Sequence, residues 1–371
     1  MPPPGFLDAA SGQPLNPAAR EAWGAAADSG WADPRRLYRA GRQADLLRQA
    51  AREALSQDLG TPSSAVNLTA TSADLPDRII DALVPPNGTV VMSAVEHSSV
   101  LAAGDALTDR GGCVRLVGVD RLGRVDPIAY AEELPGADLA ILQAANHEVG
   151  TRQPVADITA ACARAEVPLL LDASFSLGHD PVPEGWSILL GDAGSWGGPS
   201  GTGLVAVRDP SLRRQLERTL PPAALPSALA AARGWEWAAQ HRETQSARAR
   251  DLTDRILATL TAQISDVLPL GDPVDRLPHL VAFSCLYVDG EALVLGLDRA
   301  GYAISSGSSC VSDTRRPSHV LAAMGALTQG NVRVSLPYDV TEETVDGFLD
   351  VLPTVVAGVR AMLGAPPAEP S

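Results

Sequence analysis

The sequence is organised around residues 167–203, which read VPLLLDASFSLG at 167–178 and GDAGSWGGPSGTG at 191–203. The first five residues are all apolar, which is typical of a strand buried on both faces of a parallel sheet. The run ends at Asp172, at the carboxyl end of the strand, where open α/β sheets bind ligands. The glycines of the second stretch allow a tight turn or a close approach of the backbone to another group. The carboxylate at the end of the strand and the glycine turn together predict a binding site.

Short apolar runs alternate with helical patterns over residues 65–207, which predicts a mainly parallel, seven-stranded sheet with helices on both faces. The expected strands are 65–70, 89–93, 114–119, 139–143, 168–171, 188–190 and 204–207. A Pro/Gly-rich break is expected at 268–278, followed by a smaller α+β region. Because 371 residues exceed what one core usually organises, we predict a large α/β domain at 15–262. Residues 1–14 and 263–371 form the small α+β domain, with a disordered tail.

Composition excludes several classes of function. The net charge is −15 without a basic block, so no direct contact with nucleic acid is expected. No apolar run is long enough to span a membrane, and the first residues lack the features of a signal peptide. The four cysteines are far apart and show no metal-ligand spacing, which predicts no metal site and a reducing, cytoplasmic location. All 29 basic residues are arginine, so no side chain of the chain can form a Schiff base.

Polar residues follow three of the predicted strands. Glu96 and His97 come after one strand, the run Asn146, His147 and Glu148 after another, and Asp172 after a third. Each alone is a weak signal, because a histidine after a strand is more often a structural residue. Three polar groups at the carboxyl ends of adjacent strands are more specific. Two later motifs add Cys310, in a Ser/Gly-rich loop, and Arg333, in a short apolar strand.

Four motifs carry a family resemblance: SAVEHSSVL at 93–101, ANHEVGTRQP at 145–154, DAS at 172–174, and SSGSSC at 305–310 with PSHVLAAMG at 317–325. In their order and spacing they resemble the cysteine desulfurases of the class V aminotransferase family, which are fold-type I enzymes that use pyridoxal phosphate. The resemblance covers nearly the whole chain. It implies a fold-type I, aminotransferase-like architecture and a dimer whose sites lie at the subunit interface.

The resemblance also implies roles for individual residues. Asp172 matches the carboxylate that keeps the pyridine nitrogen of the cofactor protonated, and His97 matches the histidine that stacks over the ring. Arg333 matches the arginine that binds the substrate carboxylate, with Asn146 as a second substrate-binding residue. Cys310 matches the loop cysteine that attacks the substrate sulfur and becomes a persulfide.

The departures from the family cluster where the cofactor is held. Ser195 stands at the position of the Schiff-base lysine, and a hydroxyl cannot form an imine. Asp192 stands where a serine would bind the cofactor phosphate, and a carboxylate repels that group. His147 and Phe175 replace an asparagine and a glutamine beside the ring. We therefore expect no tightly bound cofactor, with Asp172, Ser195, His147 and Phe175 lining a vestigial pocket.

The leading hypothesis is a cysteine-desulfurase-like pseudoenzyme in sulfur trafficking that is not active by itself. It would form a homodimer, or a heterodimer with an active cysteine desulfurase, and contact a sulfur-acceptor protein. A first alternative is a persulfide relay, a sulfurtransferase acting through Cys310. A second alternative is a lyase or transferase that binds pyridoxal phosphate non-covalently, which Asp172 and His97 permit.

Overall fold

The computed structural model describes residues 4–29, 31–306 and 317–364, so Cys310 lies outside the described residues. The helices are α1 (Pro17–Ser29), α2 (Arg39–Leu59), α3 (Leu75–Leu83), α4 (Ser98–Asp109), α5 (Pro127–Glu133), α6 (Val155–Ala165), α7 (Pro210–Leu216), α8 (Leu225–Gln263), α9 (Gly290–Arg299), α10 (His319–Ala323) and α11 (Glu342–Met362). The strands are β1 (Val66–Thr69), β2 (Thr89–Ser93), β3 (Cys113–Val117), β4 (Leu139–Gln143), β5 (Leu169–Asp172), β6 (Ile188–Asp192), β7 (Gly203–Val207), β8 (Val267–Leu270), β9 (Leu280–Cys285) and β10 (Asn331–Ser335).

Seven of these strands form one sheet in the order β1-β7-β6-β5-β4-β2-β3. Strands β2 to β6 are mutually parallel where they pair, which confirms the predicted mainly parallel sheet. Parallel neighbours need crossover connections. Helices α4, α5 and α6 lie in the connections between β2, β3, β4 and β5, while residues 173–187 connect β5 to β6 without a helix. The register pairs Gln143 with Asp172, so the ends of β4 and β5 are level. The carboxyl ends of β6, β5, β4 and β2 thus lie side by side at one edge.

Strand β7 differs from a purely parallel arrangement, because it runs antiparallel to both β6 and β1. The cause is the short glycine turn at 193–202, which returns the chain directly to the strand it has just left. A connection of this length permits only antiparallel pairing. The turn therefore lies at the carboxyl end of β6, at the ligand-binding edge of the sheet.

Both faces of the central strands β4, β5, β6 and β7 are buried, as the apolar strand sequences predict, whereas the edge strand β3 is partly exposed. Leu169 and Leu171 belong to one core cluster, which includes Trp196 and Trp235, and Leu170 belongs to the cluster on the opposite face. Burial on alternate faces by successive residues of one strand follows from the two-residue period of β structure.

A second sheet has the order β10-β9-β8 and is antiparallel. Strand β8 falls partly inside the predicted break at 268–278. Pro269 lowers the strand signal there, but β8 is an edge strand paired only with β9, where proline is tolerated. Helix α8 links the two sheets, because its residue Ala231 packs in a core of the large sheet and Ile256 in the core of the small one.

Candidate active site

A cavity of about 420 Å³ opens at the carboxyl edge of the large sheet. Its lining comes from the ends of β5 and β6, the loops after β2 and β4, the N-terminal segment at 9–12, and the second sheet. Of the sequence-predicted residues, the structure brings seven together around this space: His97, His147, Asp172, Phe175, Asp192, Ser195 and Arg333. Asn146 lies outside the lining, and Cys310 lies outside the described residues.

Asp172 ends β5 and is 8% exposed, and its Oδ1 accepts a hydrogen bond of 3.0 Å from the Ser174 amide. His97 caps helix α4: its Nδ1 accepts from the Ser99 amide at 3.3 Å and lies 2.8 Å from the Ser99 hydroxyl. Burial lowers the pKa of His97, and the Asp172 carboxylate opposes that shift. The two groups therefore interact electrostatically across the cavity, as the strand-end prediction implies.

The imidazole of His147 is buried and makes no hydrogen bond, and Oε1 of its neighbour Glu148 lies 3.7 Å from its Nε2. Neither of its ring nitrogens is hydrogen-bonded, and the side chain is almost fully inaccessible. Burial lowers its pKa well below the ordinary value, so the ring is neutral at pH 7. Its ring centroid lies 4.8 Å from that of His97 and 5.4 Å from that of Phe175. His97, His147 and Phe175 thus form an aromatic cluster in the lining of the cavity.

Asn146 and Glu148, the neighbours of His147, act within the protein. The Asn146 amide donates to the Val95 carbonyl at 3.1 Å, and its oxygen accepts from the Glu148 and Val149 amides. Burial raises the pKa of Glu148 to about 7, while the Ser318 hydroxyl donates to it at 2.6 Å and lowers that pKa in part. These contacts hold the loop after β4, and the predicted substrate contact of Asn146 stays a prediction.

Ser195 lies in a single helical turn, Ala193–Trp196, that follows β6. Its hydroxyl lies 3.0 Å from the carbonyl oxygens of Leu177 and Asp192. Trp196 attaches the turn to helix α8, because its indole nitrogen donates to the Ala231 carbonyl at 2.9 Å. The position that the resemblance assigns to an amine therefore carries a hydroxyl that is engaged with the backbone.

Asp192, the last residue of β6, turns its carboxylate into the same glycine turn. Oδ1 accepts from the Gly194 amide at 2.6 Å, and Oδ2 accepts from the Ser72 hydroxyl at 2.5 Å and from the Gly201 amide at 3.1 Å. Burial raises the pKa of Asp192, and these three donors work against the shift. We call these donors (Gly194 N–H, Gly201 N–H and the Ser72 hydroxyl) the anion cradle. The carboxylate of Asp192 occupies it.

Arg333 reaches the cavity from β10 of the second sheet. Its Nη2 donates to Asp8 at 3.0 Å and to the Ser11 hydroxyl at 2.7 Å, and its Nη1 donates to the His147 carbonyl at 3.0 Å. Its buried Nε has no partner. The guanidinium predicted to bind a substrate carboxylate therefore already pairs with a carboxylate of the chain.

Two lining residues, His179 and His279, were not predicted from the sequence. Their rings are stacked with centroids 3.5 Å apart. Burial lowers the pKa of His179 to about 4 and lowers the pKa of His279 well below its ordinary value. The buried Nδ1 of His279 has no partner. His279 precedes a strand of the other sheet, so the strand-end argument could not identify it. The sequence signal for His179 was only its place seven residues after Asp172.

The residues fit pyridoxal phosphate only in part. Asp172 and His97 both line the cavity, where the family resemblance places the pyridine ring. However, Ser195 supplies no amine, and the anion cradle already holds a carboxylate. The buried orphan nitrogens of His147 also replace the amide expected beside the ring. These residues do not fit the cofactor in the covalent, phosphate-anchored manner of the family, so we derive no reaction step through it.

Within residues 4–29, 31–306 and 317–364, no group of three or more His, Cys, Asp or Glu side chains is arranged to hold a metal ion. Over the same residues, no helix combines the length and apolarity needed to cross a membrane.

Comparison with known proteins places this architecture in a family. The family model described as Aminotransferase class-V matches residues 6–225 and 211–348. The IscS-like cysteine desulfurase of Mycobacterium tuberculosis (strain ATCC 25618 / H37Rv) is 32% identical, over 96% of this chain and 97% of that protein. Cysteine desulfurase NifS of Azotobacter vinelandii is 30% identical, over 88% of this chain and 86% of that protein.

Solved structures share the fold. A NifS-like protein superposes with a TM-score of 0.86 at 23% identity, covering 95% of this chain and 99% of its own. The NifS-like protein from Rickettsia africae ESF-5 gives 0.82 at 20% identity, covering 94% and 98%. With the family model matching most of its length and relatives above 30% identity, this chain belongs to the aminotransferase class-V family, with cysteine desulfurases as its relatives.

Proposed function

We propose that this chain is a desulfurase-like protein that performs no imine chemistry of its own and acts as a partner subunit of an active cysteine desulfurase in sulfur transfer. The observation that carries the proposal is the position of Ser195. Its hydroxyl is bonded to backbone carbonyls where the family resemblance assigns an amine, and the chain contains no lysine elsewhere. An imine between a side chain and an aldehyde cofactor is therefore excluded.

A partner role agrees with what the fold retains. The large sheet, the glycine turn and the small sheet are all intact, so the scaffold that relatives use is preserved although its chemistry is altered. Dimerisation follows from the family resemblance, and either a second copy or an active desulfurase would be the other subunit. The free cysteines Cys113, Cys162 and Cys285 favour a reducing compartment, so we place this activity in the cytoplasm.

A second candidate function is a persulfide relay through Cys310, which would receive sulfur from a desulfurase and pass it to an acceptor protein. The observation that favours it concerns the flanks of its segment. Ser305 lines the cavity, and Ser318 donates to Glu148, next to His147. Both described ends of the segment that contains Cys310 are therefore anchored near the cavity.

Mixing the purified chain with an active cysteine desulfurase from the same cells, with free cysteine present, tests both roles. Native mass spectrometry is expected to detect a species with one copy of each chain. Added sulfur on Cys310, absent in Cys310→Ser, would support the relay in addition. Homodimers alone, together with an unmodified Cys310, would refute the partner role and the relay together.

A further inference from the structure

Asp192 combines two features that bear on which ligand the cavity accepts. Two backbone amides and one hydroxyl converge on its carboxylate at 2.5 to 3.1 Å. Converging amides of this kind form anion sites in proteins. In this chain the anion is internal, so an external phosphate would have to displace a covalently attached carboxylate that is held at very high local concentration.

The residue at position 194 fits this arrangement. A Cβ added to Gly194 would lie 2.8 Å from Asp192 Oδ1 and 2.8 Å from the Ser200 hydroxyl. Such distances are shorter than van der Waals contact, so a side chain at 194 would force the Asp192 carboxylate or the Ser200 hydroxyl to shift. The absence of a side chain at Gly194 therefore leaves the space that the Asp192 carboxylate occupies.

The charged groups that line the cavity also disfavour the binding of a phosphate. Asp172 contributes a second carboxylate, and its charge raises the pKa of Asp192. Burial keeps His97, His147 and His279 neutral by lowering their pKa values. Among the described lining residues, the guanidinium is that of Arg333, and it is neutralised by Asp8. The end of the cavity at Asp192 is therefore unfavourable for a second anion.

Three buried ring nitrogens of residues that line the cavity have no hydrogen-bond partner in the protein. They are Nδ1 and Nε2 of His147 and Nδ1 of His279, and Nε2 of His147 lies 3.7 Å from Oε1 of the buried Glu148. Leaving such groups unsatisfied costs about 1 to 3 kcal/mol each, so native proteins normally satisfy them with a ligand or ordered water.

We propose that Asp192 is the residue that excludes phosphate esters from this cavity, because its carboxylate occupies the anion cradle, so that a ligand of the cavity is unphosphorylated. This proposal rests on the proposed function in one respect: both take the cavity to differ from that of an imine-forming enzyme. It concerns a different group, namely the carboxylate of Asp192 and not the missing amine.

Inorganic phosphate is the probe, and thermal unfolding of the full chain is the readout, with potassium chloride at equal ionic strength as the salt control. Wild type is expected to show no phosphate-specific shift in Tm. Asp192→Ala empties the anion cradle and is expected to gain about 2 °C when phosphate reaches ten times its dissociation constant. Asp172→Asn is the matched control, because it removes one carboxylate from the same cavity and leaves the cradle filled.

Asp192→Asn is the second variant in case Asp192→Ala does not fold, since it keeps the volume and removes the charge. A phosphate response larger than that of Asp172→Asn, in either Asp192 variant, supports the assignment. An equal response in wild type, or none in the Asp192 variants, overturns it. Sulfide release by wild type would instead refute the proposed function, whatever the phosphate titration shows, so the two failures are distinguishable.

Discussion

The double variant Asp192→Ser, Ser195→Lys is expected to bind pyridoxal phosphate as a covalent adduct that borohydride reduces, with an apparent affinity at least about a hundredfold above that of Ser195→Lys alone. The lysine provides the amine that the chain lacks. The serine at 192 removes the internal anion and frees the amides of Gly194 and Gly201 for the phosphate. A hundredfold difference corresponds to about 2.7 kcal/mol, a reasonable value for a displaced charge-assisted contact.

Absorbance titration and intact mass after reduction measure this effect. The matched control combines Asp192→Ser with Ser200→Lys, which puts the amine in the same turn at an exposed position on the cavity rim. That control is expected to form far less adduct at equal concentrations. Equal affinities for Ser195→Lys and the double variant would show that Asp192 does not obstruct the phosphate.

Glu148→Gln is expected to remove a large pH dependence of stability. In the folded chain the pKa of Glu148 is raised from 4.5 to about 7, so the folded state holds its proton more tightly than the unfolded state does. The contribution of Glu148 to the free energy of unfolding is therefore fully present below pH 4.5. It decreases as the pH rises toward 7 and stays lower above that pH. The loss is about 3 kcal/mol for a carboxyl that is 5% exposed. Glutamine keeps an oxygen for the Ser318 hydroxyl and does not titrate.

Denaturant unfolding at several pH values between 4.5 and 8 measures the difference. Wild type is expected to lose stability relative to Glu148→Gln across this range. Burial also raises the pKa of Glu96, but Glu96 is present in both proteins and contributes equally to both curves. Parallel curves for the two proteins would mean that Glu148 does not carry a raised pKa.

The strand-end residues could be predicted from the sequence because parallel strands share an edge. Asp172 and His97 follow apolar runs, and their strands are separated in the sheet only by β4. Nothing more than alternation of strands and helices was needed to place them in one cavity. The reversal of β7 was not predicted, since alternation does not show that a ten-residue glycine turn returns the chain to the strand it left.

The contacts that change the chemistry could not be predicted in the same way. The sequence indicated that Asp192 would repel a phosphate, but not that its carboxylate would fill the anion cradle, because the directions of the Gly194 and Gly201 amides depend on the folded turn. Arg333 pairs with Asp8 across 325 residues, and His279 arrives from the other sheet. Neither long-range contact leaves a local pattern.

Sulfide release from free cysteine by the purified wild-type chain, supplied with pyridoxal phosphate, decides whether this chain can perform the family's imine chemistry. Without an amine at position 195, the mixture is expected to release sulfide no faster than the same mixture without protein. Sustained release above that background, by a chain that retains the coenzyme next to His97, would contradict the account.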